Sequence, residues 1–75
     1  MYAVAVSNLN TKIVETQTGT KEQMWRVYSD EINAAKRLGW MLLGVKDSIS
    51  MTKMMHRWVN TDGQTVEIAI GVVEQ

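Results

Sequence analysis

Cysteine and proline are absent, and histidine occurs once. Without cysteine there is no disulfide, no thiolate metal site and no cysteine nucleophile, a composition that suits a reducing compartment. With His56 as the sole imidazole, a zinc site would take its remaining ligands from carboxylates, against the usual spacing rules, so neither metal nor cofactor is expected. Net charge is also lacking: eight basic and eight acidic residues cancel, so nothing global draws the chain to nucleic acid or anionic lipid. No apolar run approaches the roughly 20 residues of a membrane span, and the start, MYAVAVSNLN, has no basic leader. The expectation is a cytoplasmic protein with no membrane role. The five glycines fall at apparent element ends or in strands, no linker or repeat interrupts the chain, and residues 1–75 read as a single domain.

What is present is 45% apolar and 21% charged, the composition of a folded chain. A chain of 75 residues buries only about 60% of its unfolded surface, so a partner or a second copy would add to a thin stability margin. YAVAVS, residues 2–7, alternates Tyr2, Val4 and Val6 with Ala3, Ala5 and Ser7, a strand whose small face permits close approach by a neighbour. TKIVETQT carries the Thr, Ile and Val of a second strand but is polar enough to be an edge strand or an ordered loop.

Residues 20–38 carry the clearest pattern. Thr20 and Gln23 form a capping box, and Met24, Trp25, Val27, Tyr28, Ile32, Ala34, Ala35 and Leu38 fill about half of a helical circumference. Lys36 and Arg37 suit the negative end of the helix, Gly39 the left-handed residue after it, and Trp40 the packing residue beyond. WMLLGV, residues 40–45, is short, apolar and of strand length, and is expected to be a central strand covered on both faces.

MMHRWVNTDGQTVEIAI, residues 54–70, is a hairpin with two candidate registers. A two-residue Asp62–Gly63 turn would drive Lys53 and Arg57 into the apolar face. A three-residue loop with Gly63 left-handed instead pairs Trp58 with Val66, His56 with Ile68, Met54 with Ile70 and Thr52 with Val72, and sets Arg57 against Glu67. Burying an unpaired cation costs several kcal/mol, more than any preference between turns, so the three-residue loop is expected. His56 and Trp58 then belong to the core or its margin.

The expected fold is therefore α+β, one helix over about 20–38 on an antiparallel sheet of four to five strands in the order ββαβββ. No catalytic residue is expected: the serines at 7, 29, 48 and 50 lie in no nucleophile elbow and the glycines in no phosphate loop. Glu31 falls within the apolar arc, where it reads as a structural carboxylate able to approach His56. Six methionines, four of them at 41, 51, 54 and 55, are the compositional oddity, and methionine suits both irregular cores and adaptable binding surfaces. Met54 and Met55 point opposite ways, so at least one must be covered by something beyond a one-sided core. Met51, Lys53, Met55 and Arg57 form the expected partner-binding strip, with Tyr2 or TKIVETQT as a second surface, for a protein partner or a homodimer. The alternative is single-stranded nucleic acid on the basic face of the same strand.

The junction RLGWMLLGV, between a short N-terminal strand and a later hairpin, resembles that of small bacterial and phage β-α-β-β domains of unknown function, over about Asp30–Val45. Met41 stands where those families usually carry an acidic residue, and TKIVETQT is an insertion. The resemblance implies a fold and no activity. In size and content the chain is also similar to small phage-encoded inhibitors that occlude a host protein, for example a defence-system component.

Overall fold

The computed structural model describes residues 1–49 and 52–73. Five strands and one helix follow in chain order: β1 (Tyr2–Asn8), β2 (Ile13–Gly19), α1 (Lys21–Arg37), β3 (Met41–Ile49), β4 (Thr52–Val59) and β5 (Thr65–Val72). All strand pairs are antiparallel, and the order across the sheet is β2-β1-β5-β4-β3. TKIVETQT is thus a true strand, at one edge. The helix joins the two edges: at about 1.5 Å per residue its 17 residues reach about 25 Å, enough to cross the roughly 19 Å between the outer strands.

The helix is closed at both ends by its own sequence. The Thr20 hydroxyl accepts from the Gln23 amide at 3.2 Å, and the Gln23 side chain takes the Thr20 amide at 3.1 Å. At the other end Leu38 caps and Gly39 turns left-handed at φ 77°. The Trp40 amide donates to Ala35 and the Gly39 amide to Lys36, which together satisfy two otherwise orphaned carbonyls. Leu38, at the cap, is 60% exposed rather than part of the buried stripe.

The core lies between α1 and one face of the sheet. Met24, Tyr28, Ile32 and Ala35 of the helix meet Val4 of β1, Trp58 of β4, and Ile68 and Ile70 of β5. Fully burying side chains of this size stabilises by about 1.5–3 kcal/mol each. Tyr2 and Val6 pack at its margin, so Ala3, Ala5 and Ser7 face away from the helix.

The β4–β5 turn follows the charge argument. Gly63 has φ 76°, the Asn60 amide donates to Gln64 and the Gly63 amide to Asn60. Trp58 pairs with Val66, His56 with Ile68, Met54 with Ile70 and Arg57 with Glu67. One expected pair is displaced. Thr52 lies opposite Gly71 rather than Val72, because Lys53 is an extra residue in β4, a bulge near the strand's start that leaves its ammonium exposed.

WMLLGV forms a strand as expected, but the central, doubly covered place expected for it is overturned. β3 is an edge strand, with Met41, Leu42, Leu43 and Val45 between 45% and 66% exposed. The central place belongs to β5, which is flanked by β1 and β4, while α1 packs on β1, β5, β2 and, through Trp58, Met54 and His56, on β4.

Candidate functional site

Because the only helix covers one face of the sheet, the other face has nothing over it among the described residues. The registers define its rows. Lys46, Met55, Ala69, Ala5 and Thr16 cross the sheet in line, and beside them run Gly44, Arg57, Glu67, Ser7 and Val14. The middle of this face is floored by small residues, while Met55 rises at the β3 side.

A second bulge shapes that side. The β3–β4 register shifts between Leu42 and Gly44, so Leu43 is the extra residue. Leu43, Gly44, Val45, Lys46, Met55 and Arg57 line a recess of about 210 Å³, mainly apolar, whose floor is widened by the missing side chain at Gly44. This volume lies below the roughly 300–1,000 Å³ of small-molecule sites, and it matches one inserted side chain better than a substrate. Arg57 at its rim is held by Glu67: both Nε and Nη2 donate to one carboxylate oxygen, at 2.8 and 2.6 Å.

The sequence-expected strip is thus split. Met55 and Arg57 share the uncovered face, Lys53 is exposed in the β4 bulge, and Met51 lies outside the described residues. Tyr2 sits on the opposite face, half-buried against the core. Of the two methionines argued to diverge, Met54 packs on the core and Met55, half-buried, lines the recess on the other face. The recess owes most to Leu43 and Gly44, which the sequence reading did not single out; the Leu-Gly pair in an apolar strand was the available signal for a bulge.

His56 lies on the helix face, half-buried, with Trp58 stacked beside it at 6.1 Å and Tyr28 edge-on at 5.6 Å. Its partner is the Tyr28 hydroxyl, 2.6 Å from Nδ1, and not Glu31. Burial pushes the Tyr28 phenol up to about 12, so it remains a donor; Nδ1 then accepts, and the neutral ring carries its proton on Nε2. Burial, and secondarily the Lys36 ammonium, hold His56 below its usual value and keep it neutral. The shallow depression of about 270 Å³ here is lined by Trp25, Tyr28, Ser29, Ile32, Asn33, Met54 and His56, with no carboxylate to polarise the imidazole. Its chemistry is that of a hydrogen-bonded aromatic seam.

Among the described residues no three His, Cys, Asp or Glu side chains gather as metal ligands, and no helix is long and apolar enough to cross a membrane. The chain matches no protein-family model, no curated protein and no solved structure.

Proposed function

We propose that the protein is a non-enzymatic protein-binding module, an inhibitor or adaptor that occludes another protein with the uncovered face of its sheet. The observation that carries this reading is the recess beside Met55: an apolar hollow of single-side-chain size, with Lys46 at its rim and Arg57 already engaged by Glu67. Such a hollow suits an apolar anchor from the partner, with an acidic neighbour reaching Lys46. The flat, small-residue floor of Ala3, Ala5 and Ala69 supports close approach of a protein surface. Single-stranded nucleic acid has less in its favour, because Trp58 is buried on the far face and Arg57 is paired.

The test is a cavity-filling variant. A Cβ at Gly44 meets nothing within 4 Å and the position has no positive φ, so Gly44→Val places its side chain in the open space of the recess. The variant is expected to keep or raise its thermal midpoint, since glycine within a strand costs about 0.5–1 kcal/mol. It should lose the partner that the wild-type chain captures from its native cell. Retained capture would remove the recess from the binding surface.

A further inference from the structure

The two sheet edges differ sharply. β2 exposes two apolar residues at its start, Ile13 and Val14, and is polar from Glu15 through Thr16, Gln17 and Thr18. β3 presents Met41, Leu42, Leu43 and Val45, all strongly exposed, with no charge before Lys46. These side chains leave the strand on both faces. Leu42 and Val45 stand opposite Trp58 and His56 on the helix side, whereas Met41 and Lys46 stand opposite Val59 and Met55 on the uncovered side.

A helix or loop laid on one face would leave the other face wet; only a strand added alongside covers both. That strand must itself be apolar on both faces. β3 of another copy meets the requirement, and the zero net charge of the chain sets no long-range repulsion against it. We propose that β3 pairs antiparallel with β3 of a second copy about a two-fold axis, joining two five-stranded sheets into one. Among the described residues β3 is the edge with apolar side chains on both faces over most of its exposed length, so the pairing consumes both copies of it and closes as a dimer, leaving outside the β2 edges, apolar only at Ile13 and Val14.

Faces fix the register. Residues opposite each other in an antiparallel pair share a face, so Leu42 meets Val45 of the other copy and Met41 meets Lys46 of the other copy. The bulge residues Leu43 and Gly44 then lie at the axis. An interface built on one short edge is small by the standards of stable complexes, and the expected affinity is micromolar. A second copy is the occupant of the edge; Leu43, Gly44, Val45 and Lys46 belong to both the edge and the recess, whereas Met41 and Leu42 belong to the edge alone and so report on the pairing separately from the recess.

The experiment is sedimentation equilibrium of the full chain from about 1 μM to about 1 mM, a range that brackets micromolar association. The wild type is expected to pass from monomer to dimer. Met41 is 66% exposed, so Met41→Lys and Met41→Glu leave the monomer folded while placing opposite charges before Lys46 of the second copy. Met41→Glu should dimerise more tightly than Met41→Lys by about tenfold, two symmetric pairs contributing. Val14→Lys, on the β2 edge, should not change the wild-type constant. Amide hydrogen exchange gives a second readout on the wild type: protection at 41–46 grows with concentration, while protection at 13–19 stays flat. A wild type that stays monomeric, equal constants for the two Met41 variants, a loss with Val14→Lys, or concentration-dependent protection at 13–19 alone each overturns the proposal. A monomeric wild type would still leave the recess to be judged by Gly44→Val.

Discussion

At the residue scale, the clearest decision is made at Gly63. Its φ of 76° is the left-handed conformation that lets Thr61 and Asp62 turn while one extra residue shifts the register. Gly63→Ala is expected to destabilise by about 1 kcal/mol in urea unfolding, because a Cβ is disfavoured in that region. An unchanged midpoint would show that the loop does not depend on it. The Tyr28–His56 pair makes the second residue-scale prediction. His56 is held below 6.5 in the folded state, so the unfolded chain takes up its proton first, and this contribution is full above pH 6.5 and lost as pH falls below it. Tyr28 is raised to about 12, so its contribution is present below pH 10 and lost as pH rises from 10 through 12. Thermal midpoints across pH should fall on both sides, and His56→Gln should flatten the acid limb alone. His56 was legible as a core-margin residue from the hairpin register, but its partner was not: Tyr28 and Glu31 both lie on the apolar arc, and only the packed geometry separates them.

At the element scale, α1 was legible to within a residue because its boundaries rest on side-chain chemistry at adjacent positions: Thr20 with Gln23, and Gly39 with Trp40. Thr20→Ala removes one bond of the capping box and is expected to cost about 1 kcal/mol, read by chemical denaturation. A cost near zero would mean that tertiary packing alone holds the helix start. The β4–β5 register was legible for a different reason: the energy of burying Lys53 and Arg57 exceeds any turn preference, and Arg57 is found against Glu67. β3 was not legible. Apolarity on both faces of a strand is the same pattern whether the strand is covered by its own chain or left open for another, and strand order is not written in local periodicity. The Lys53 and Leu43 bulges were missed likewise, since each needs a partner strand to define it.

At the scale of the whole molecule, one helix cannot cover five strands. α1 packs on β2, β1, β5 and the helix-side residues of β4, so among the described residues one sheet face and the apolar β3 edge have no internal partners. The core that remains is a single layer: Trp58, Ile68, Ile70 and Val4 under Met24, Tyr28, Ile32 and Ala35. Trp58 is 2% exposed, and its indole N–H has no hydrogen-bond partner among the described residues. Trp58→Ala is expected to cost about 3–5 kcal/mol, enough to unfold much of so small a domain, whereas Trp58→Phe should cost clearly less, because it also removes an unpaired donor. Equal losses for the two variants, measured by denaturant titration, would contradict that reading.

Which face of the sheet is covered decides where a partner can dock, and methyl-resolved nuclear Overhauser spectroscopy on methionine-labelled protein measures it directly. The Met54 methyl should show contacts to Ile32 and the Tyr28 ring, and the Met55 methyl contacts to Leu43 with none to the helix. Helix contacts from Met55, with Met54 showing none, would reverse the two faces and remove the recess and its partner from the uncovered side.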